Sequence, residues 1–388
     1  MLEVKAIALA LGIWRAALVL PENELPFNMM VNDNNGSPTI TIVNAEEQIE
    51  VTDIVFKEDS IFIYLPVFES EIIGTYTEKE INGVWTKYND PERAIPFKAT
   101  HGVKERFITQ NDASFDVTGK WEVWFSKDTE DEYKAVGIFK QNGNKVTGTF
   151  LTETGDYRYL EGVVENNSLK LSCFDGAHAF LFTANIIGEY MLGDFKSGAH
   201  WSEPFVAQKN ENVELTDPFK LTYLKEGYDK IAFSFPDKDS TMVSLNDERF
   251  KNKVVLVQIL GSWCPNCMDE SKFLAPLYDK YNEQGLEIVG LAFERSAEFD
   301  KAKVTVEKMC RDLVMNYPVL IAGGASKKEA SEKLPMLNEI ISFPTTILIN
   351  KKGEVIKIHT GFNGPATGEH FHKFKDEFMA ALEGALKE

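Results

Sequence analysis

Trp263-Cys264-Pro265-Asn266-Cys267 places two cysteines three positions apart, between the apolar run Val254 to Leu260 and the helix-like segment Met268 to Tyr281. This spacing brings the two sulfurs close enough, on one helical turn, to form and break a disulfide. The unpaired N–H groups at the start of a helix favour negative charge, which stabilises a thiolate on the first cysteine. Pro265 fits the first helical position, where its missing N–H costs nothing. The stretch therefore predicts a redox-active cysteine pair at a strand-to-helix junction.

A CxxC pair can also be half of a zinc site. The other two cysteines, Cys173 and Cys310, stand alone, and no second CxxC or close Cys/His pair completes four ligands. His370 and His372 lie two apart on a predicted helix, so they point to different faces. We therefore expect no metal site, and we interpret Cys173 and Cys310 as small core residues, with a third redox thiol at Cys310 as the alternative.

The length and charge of the chain limit its class. Its 388 residues suggest two or three domains, and a content of 44% hydrophobic and 12% aromatic residues is typical of globular proteins. The formal net charge is −19, of which residues 1–215 contribute −16 and residues 216–388 contribute −3. A chain this acidic repels phosphate backbones, so we expect no nucleic-acid partner. The acidity indicates a solvated surface, with steering of a basic partner as the alternative.

One apolar stretch near the start resembles an export signal at first reading. Ala6 to Leu20 contains Arg15, follows a start of mixed charge at Glu3 and Lys5, and has no small-residue cleavage site before Pro21. We therefore predict that its later part is a β-strand. A native signal upstream of this start, or trimmed from it, stays open. No stretch of the chain approaches the roughly 18 apolar residues of a membrane span.

Residues 12–207 contain two related copies, offset by 107 to 116 residues. An offset of this length suits a duplicated small domain better than a solenoid repeat. The matched pieces share residue type and spacing: Gly12-x-Trp14 with Gly119-x-Trp121, Asp59–Ile63 with Asn167–Leu171, Gly74-x-Tyr76 with Gly188-x-Tyr190, Trp85 with Trp201, and Ile95–Ala99 with Glu203–Ala207.

Within each copy the pattern is that of β-strands. Thr39–Val43 and Lys145–Leu151 are alternating runs, and Asn34–Gly36 and Gln141–Asn144 predict hairpin turns. Many short strands with regular turns favour a barrel or a sandwich. The polar segment Gln208–Pro218 lacks periodicity and is the predicted linker. The predicted fold class is therefore multidomain, with two all-β copies, residues 1–112 and 113–215, followed by an α/β domain, residues 216–388.

From about Phe219 onward the chain resembles bacterial thiol–disulfide oxidoreductases of the TlpA/ResA group, within the thioredoxin superfamily. The resemblance depends most on the ordered pair of Trp-Cys-x-x-Cys and a later Phe-Pro-Thr-Thr strand. The matching pieces, in chain order, are Phe233–Asp237, Val243–Leu245, Lys253–Ser262, Leu286–Ala292, Phe343–Ile349, Asn350–Gly353 and Val355–Ile358. A C-terminal helix follows, with an apolar stripe at helical spacing that we interpret as core packing: Phe371, Phe374, Phe378 and Leu382. The resemblance implies a thioredoxin-like α/β fold.

Chemistry and resemblance together suggest residue roles. Cys264, nearest the helix end and the more exposed of the pair, is expected to be the attacking thiolate, and Cys267 the resolving thiol. The resemblance implies that Pro344 is cis and that its loop, with Phe343, pairs with the substrate peptide as an added strand. A structural trans proline is the alternative. Trp263 is expected to border the site, with ordinary packing as the alternative.

The sequence departs from related proteins at two places. Gln258 stands where thioredoxin carries a buried acid, and it cannot take a proton. Glu270 matches the acid of the group's CxxCxxE pattern; partly buried, it would have a raised pKa and could shuttle the proton of Cys267. The alternative is a helix-surface glutamate favoured by the helix dipole. The second departure is an insertion, predicted as a helix over residues 296–314, which is a feature of the TlpA group.

The leading hypothesis is an enzyme that exchanges dithiol and disulfide with protein clients through a mixed disulfide. The resemblance points to a reductase in an extracytoplasmic bacterial compartment such as the periplasm. No nicotinamide or flavin fingerprint is present, so the redox group is the Cys264–Cys267 disulfide itself and electrons must come from a protein donor, which could be membrane-bound. The alternatives are a redoxin-type peroxidase and a ligand- or client-binding adaptor with an accessory redox domain. Two interpretations of the β half stay open. It is either a docking module for a client or ligand, or a scaffold or dimerisation module.

Overall fold

The structure is a computed structural model, and it describes residues 9–66 and 68–388. The first three residues of the apolar stretch from Ala6, and the charged residues before it, lie outside the described residues. Two compact units are present. The first comprises the described residues up to Phe150 together with Tyr157–Val213, and the second comprises Leu151–Asp156 together with Glu214–Glu388. We propose that the first unit holds both predicted β copies and that the second holds the predicted redox domain.

The first sheet of the β half is formed by nine antiparallel strands. They are β1 (Gly12–Val19), β2 (Glu24–Asn34), β3 (Ser37–Asn44), β4 (Glu47–Val51), β5 (Ile54–Lys57), β6 (Ser60–Tyr64), β7 (Ser70–Tyr76), β8 (Glu80–Lys87) and β9 (Asp90–His101). Their order is β4-β3-β2-β1-β9-β8-β7-β6-β5. β1, the strand predicted in the apolar stretch, pairs with β2 and β9. Its side chains alternate towards a core that contains Trp14 and Phe27.

The second sheet has the same strand count and closes on itself. Its strands are β10 (Gly119–Phe125), β11 (Tyr133–Asn142), β12 (Lys145–Thr152), β13 (Gly155–Asp156), β14 (Leu160–Glu165), β15 (Ser168–Phe174), β16 (Ala179–Ile187), β17 (Tyr190–Ser197) and β18 (Trp201–Lys209). Their order is β11-β10-β18-β17-β16-β15-β14-β12-β13, and β11 also pairs with β12. This last pairing joins the two ends of an eight-stranded ring, which is a barrel. The predicted all-β, barrel-like class is confirmed.

The two sheets repeat each other in local detail. Gly12 and Gly119 open their sheets at φ 111° and 114°, a region of backbone conformation that favours glycine. Two residues later, the indole N–H of Trp14 donates to the carbonyl oxygen of Ala10 at 2.9 Å. The indole N–H of Trp121 likewise donates to the carbonyl oxygen four residues before it, also at 2.9 Å. Both tryptophans are buried, so each Gly-x-Trp motif fixes the same corner of its sheet.

Two of the predicted repeat matches are wrong in register. Gly74 lies within β7, whereas Gly188 lies in the turn before β17. Gly83 and Gly193 correspond instead, because each is the fourth residue of its strand, β8 or β17, and the two strands have the same pattern of buried residues. A Cβ at these positions would lie 2.1 Å and 2.3 Å from a carbonyl oxygen of the neighbouring strand. Only glycine permits this approach of two strands. The match of Trp85 with Trp201 fails for the same reason: Trp85 is buried on β8, and Trp201 is exposed at the start of β18.

The predicted turns are confirmed, and the predicted linker begins later than expected. Asn34 pairs with Ser37, so β2 and β3 are joined by a two-residue turn. β18 continues through Lys209, because Gln208 pairs with Glu122 on one side and with Tyr190 on the other. The first two residues of the predicted linker Gln208–Pro218 are therefore strand. Alternation of apolar residues fades there, but ladder hydrogen bonds on both sides hold the backbone extended.

The second unit has a five-stranded mixed sheet and four α-helices. Its elements are β19 (Ser234–Pro236), β20 (Met242–Ser244), β21 (Val254–Leu260), α1 (Pro265–Tyr281), β22 (Leu286–Glu294), α2 (Phe299–Asp312), β23 (Val319–Gly324), α3 (Lys327–Lys333), β24 (Thr345–Ile349), β25 (Val355–Thr360) and α4 (Glu369–Lys387). The sheet order is β23-β22-β21-β24-β25, and β19 pairs with β20 as a separate hairpin. β22 is parallel to β21 and to β23, and β24 is antiparallel to β21.

The central strand β21 positions the cysteine pair. All seven of its residues are buried, as expected for a strand with partners on both sides and covered faces. The chain leaves it at Leu260 and enters α1 at Pro265. On α1, Phe273 packs against the apolar stripe of α4, whose rings lie 5.5 to 6.1 Å from it at Phe371, Phe374 and Phe378. Within the described part of the chain, we find no helix with the length and apolar character that crossing a membrane requires.

Candidate active site

The first cysteine of the pair begins α1. Cys264 is the N-cap residue, and Pro265 follows at the first helical position. The Cys264 Sγ accepts a hydrogen bond from the backbone N–H of Cys267 at 3.3 Å. The Cys264 thiol donates to the carbonyl oxygen of Phe343 at 3.4 Å. The sulfur therefore lies between the N-terminus of α1 and the loop that contains Pro344.

The two cysteines differ in access. Both are free thiols; Cys264 is 7% exposed and Cys267 is fully buried. Burial raises the pKa of the Cys267 thiol well above its ordinary value, and the neighbouring Cys264 thiol and the Glu270 charge raise that pKa further. Cys267 therefore needs a proton acceptor before it can act as a nucleophile.

Glu270 lies one turn further along α1, and it is only 1% exposed. Burial raises the pKa of its carboxyl group to about 7, although hydrogen bonds from Thr346 and Gln258 oppose the rise. The Thr346 hydroxyl donates to Oε1 at 2.7 Å, and the Gln258 amide donates to Oε2 at 2.9 Å. A carboxyl group with this pKa changes charge near neutral pH, as a proton shuttle must.

Gln258 connects Glu270 to further buried hydroxyl groups. Its Oε1 accepts hydrogen bonds from the hydroxyl groups of Ser271 and Tyr317, both at 3.2 Å. Since Gln258 cannot carry the proton, its role here is to hold one carboxylate oxygen of Glu270 in place. The position that holds an acid in thioredoxin therefore becomes a hydrogen-bond support for an acid on α1.

We expect a Thr346→Val variant to raise the pKa of Glu270 above about 7. The substitution removes the 2.7 Å hydrogen bond, which stabilises the charged carboxylate, and keeps the shape of the side chain. Titration of ¹³C-labelled glutamate by NMR measures this pKa. Thr345→Val is the matched control, because the Thr345 hydroxyl donates to Ser342 instead. An unchanged midpoint in Thr346→Val would show that this hydrogen bond does not support the charge.

Aromatic groups and the Pro344 loop border the sulfur. The peptide bond between Phe343 and Pro344 is cis. The Trp263 indole N–H donates to the carbonyl oxygen of Phe293 at 2.8 Å, and its ring meets the Phe343 ring edge-on at 5.6 Å. The Arg295 guanidinium lies 5.8 Å from the centre of the indole. Trp263 is thus held in place and half-buried, beside the residue whose carbonyl contacts Cys264.

The structure brings all six predicted site residues together: Cys264, Cys267, Glu270, Trp263, Phe343 and Pro344. Sequence reasoning missed Thr346, Tyr317 and Ser342. Thr346 is the second threonine of the Phe-Pro-Thr-Thr strand, where strand alternation could have placed it on the face of Gln258. No pattern in the sequence points to Tyr317. The other cysteines lie elsewhere: Cys173 is buried in β15, and burial raises the pKa of Cys310 on α2 to about 12.

Comparisons with known proteins match the C-terminal part of the chain. The family model described as Redoxin matches residues 226–373. The thiol–disulfide oxidoreductase ResA of Halalkalibacterium halodurans is 28% identical over 137 residues, which cover 35% of this chain and 69% of that protein. ResA of Bacillus subtilis is 29% identical over 138 residues, which cover 36% of this chain and 69% of that protein.

Solved structures give similar local matches. The structure of the thiol:disulfide interchange protein DsbE from Chlorobium tepidum is 21% identical, with a TM-score of 0.32, and the match covers 41% of this chain and 99% of that one. A secreted thiol-disulfide isomerase from Corynebacterium glutamicum is 19% identical, with a TM-score of 0.34, covering 46% and 99%. The resemblance expected from the sequence is confirmed by the family and sequence matches. The Redoxin family model and the ResA thiol–disulfide oxidoreductases therefore both match the C-terminal part of this chain.

Proposed function

We propose that this protein is a thiol–disulfide oxidoreductase that reduces disulfides of protein clients through Cys264 and Cys267. One observation supports this most: a cysteine at the N-cap of α1 accepts the N–H of a second, buried cysteine, and a buried glutamate follows one turn later. These are the three groups that a dithiol reductase needs, namely a nucleophile, a resolving thiol and a proton acceptor.

The proposed reaction has two exchanges. The Cys264 thiolate attacks one sulfur of the client; the client S–S bond breaks, a Cys264–client disulfide forms, and the leaving thiolate takes a proton from solvent. Cys267 then gives its proton to Glu270 and attacks Cys264 Sγ. This step breaks the mixed disulfide, forms the Cys264–Cys267 disulfide and releases the second client thiolate. Two electrons pass to the client, and the enzyme is left oxidised.

The client is proposed to lie against Trp263, Phe343 and the cis Pro344. An extended peptide can pair with the backbone of such a loop as an added strand, and the Phe343 carbonyl already contacts the reacting sulfur. The redox group is the cysteine pair, so re-reduction requires a second thiol protein. We place this donor, which could be membrane-bound, and the enzyme itself in an extracytoplasmic compartment such as the periplasm.

The Redoxin match gives peroxide reduction as a second candidate. Redoxin-type peroxidases place the reactive cysteine in a T-x-x-C approach, and here Gly261 stands three residues before Cys264. Peroxide consumption that is lost in Cys264→Ser and kept in Cys267→Ser would favour this candidate. Peroxide consumption that neither substitution lowers, together with disulfide exchange that requires both cysteines, would favour the reductase.

The redox equilibrium of the cysteine pair tests the proposed direction. We expect a midpoint of about −270 mV in dithiothreitol buffers, as for thioredoxin, because a dithiol passes its electrons to client disulfides only when its own reduction potential is low. Thiol alkylation followed by mass measurement reports the oxidised fraction, with Cys264→Ser as the control. A midpoint of about −120 mV would make the protein an oxidant of its clients and overturn the reductase direction. Failure to form a Cys264–Cys267 disulfide would overturn the redox function altogether.

A further inference from the structure

A short hairpin that lies more than 50 residues before the rest of the second compact unit in the sequence is nevertheless part of that unit. Residues Leu151–Asp156, here called the 151–156 hairpin, comprise the end of β12, a two-residue turn and β13, and they are grouped with the second compact unit. The hairpin is closed by the pairs Leu151–Asp156 and Thr152–Gly155. The Thr152 hydroxyl also donates to the carbonyl oxygen of Gly155 at 2.9 Å. It is therefore a preformed turn with a defined shape.

Two hydrogen bonds attach the 151–156 hairpin to loops of the active site. The hydroxyl group of Ser342, which directly precedes Phe343, donates to the carbonyl oxygen of Thr154 at 2.8 Å. The backbone N–H of Gly364, in the loop between β25 and α4, donates to the Asp156 carboxylate at 2.5 Å. The hairpin thus bridges two separate loops of the thioredoxin-like fold.

Close contacts at two glycines show that the hairpin also packs against a third loop, the CxxC turn. A Cβ on Gly155 would lie 1.8 Å from the side-chain nitrogen of Asn266, the residue between Pro265 and Cys267. A Cβ on Gly361 would lie 2.8 Å from the carbonyl carbon of Thr154. Both positions are glycine because any side chain would push the hairpin away from the site. The hairpin therefore meets the CxxC turn, the Pro344 loop and the loop before α4.

The 151–156 hairpin also lies close to the bonding partner of the nucleophile. The Ser342 hydroxyl that contacts Thr154 is 3.3 Å from the carbonyl oxygen of Phe343, which accepts the Cys264 thiol. Cys264 and Phe343 are only 7% and 8% exposed. A client that pairs with the Pro344 loop must therefore enter a narrow space beside the hairpin.

One buried acceptor in this space has no hydrogen bond from the described residues. It is the Oδ1 of Asn266, whose nitrogen side faces Gly155. A buried acceptor left unbonded costs free energy, and its lack of solvent access shows how closely the hairpin and the CxxC turn pack. This packing narrows the space beside the CxxC turn.

We propose that the 151–156 hairpin is a specificity-determining wall of the client site, which restricts Cys264 to disulfides carried on thin, extended peptide segments. The proposal rests on the proposed reductase function, because it concerns the same nucleophile. The hydrogen bonds of the reacting sulfur go to Phe343 and Cys267, and the hairpin acts by filling the space that a folded client would need. Removing it should therefore change which disulfides react, with little effect on the intrinsic reactivity of Cys264.

Deletion of Glu153 and Thr154 from the full chain tests the wall, because it removes the carbonyl that Ser342 holds. Asp156→Ala is a milder second variant that releases the Gly364 contact, and Glu377→Ala, an exposed carboxylate on α4, is its matched control. Circular dichroism checks folding. The rate of each reduced enzyme is measured with oxidised glutathione, with a linear peptide disulfide and with insulin, whose disulfides lie in a folded protein.

We expect the deletion to raise the insulin-to-glutathione rate ratio by about tenfold, with the glutathione rate within about twofold of wild type. Asp156→Ala should move the ratio in the same direction, and Glu377→Ala should not move it. An unchanged ratio in both hairpin variants, or an equal fall of all rates, overturns the wall and leaves the reductase function standing. If the wild-type enzyme reduces none of the three disulfides, the proposed function itself fails.

Discussion

A Cys267→Ser variant is expected to accumulate a covalent complex between Cys264 and its client. The first exchange needs Cys264 alone, whereas release needs the buried thiol three residues later, so the mixed disulfide has no internal route to resolution. A Cys264→Ser variant should form no complex, and its turnover should fall by a factor on the order of 10⁴ or more, the scale seen when an enzyme loses its nucleophile. Non-reducing electrophoresis and mass spectrometry of the trapped peptide measure both outcomes.

Cys310→Ser is the matched control for this pair of variants. Cys310 is the partly exposed cysteine on α2, and burial raises the pKa of its thiol to about 12, so it should be unreactive at neutral pH. Its substitution should leave both trapping and turnover unchanged. A client trapped on Cys310, or turnover that survives Cys264→Ser, would contradict the assignment of Cys264 as nucleophile.

Glu270→Gln is expected to slow the second exchange by a factor of about 10², the lower range for loss of a positioned proton acceptor. In the wild-type enzyme the rate of this step should rise with pH through about 7, as the Glu270 carboxyl group loses its proton. The variant should lack this inflection, because its amide cannot take the proton of Cys267. Single-turnover decay of a preformed Cys264–client disulfide measures the step. Asp279→Asn, an exposed acid on the same helix, is the control and should keep the wild-type pH profile.

The same carboxyl group predicts a pH-dependent stability. Burial raises its pKa from an ordinary 4.5 to about 7, so the folded state prefers the protonated form. This contribution to stability is fully present below pH 4.5 and is lost as the pH rises through 7, in total about 3 kcal/mol.

Urea unfolding of reduced wild-type and Glu270→Gln protein at about pH 5 and about pH 8 checks this loss. We expect the wild-type free energy of unfolding to fall relative to the variant between the two pH values. The difference in free energy of unfolding between wild type and variant is taken at each pH. Comparing these two differences removes any effect of the new amide that does not depend on pH. A constant difference would mean that the carboxyl group titrates at an ordinary pKa, and it would remove Glu270 as the proton acceptor near neutral pH.

Local patterns predicted most of the elements that form the site. The apolar run of β21, the CxxC turn and Pro265 at the first helical position each specify their structure within a few residues. Alternation likewise indicated the strands of the β half and their turns. Two repeat matches were wrong, Gly74 with Gly188 and Trp85 with Trp201. They were wrong because residue types were compared without regard to strand register. Register is set by pairing across strands, which short motifs do not encode.

The sequence by itself determined the cysteine pair, the strand-to-helix junction that carries it and the Phe-Pro-Thr-Thr strand, since each is a contiguous pattern with a local physical cause. Only the tertiary structure decided what surrounds them. The hydroxyl of Thr346 meets Glu270 across 76 positions of sequence, and the hydroxyl of Ser342 meets Thr154 across 188. Such contacts arise when burial brings distant polar groups together and each must find a partner, and no spacing along the chain records which partner it finds.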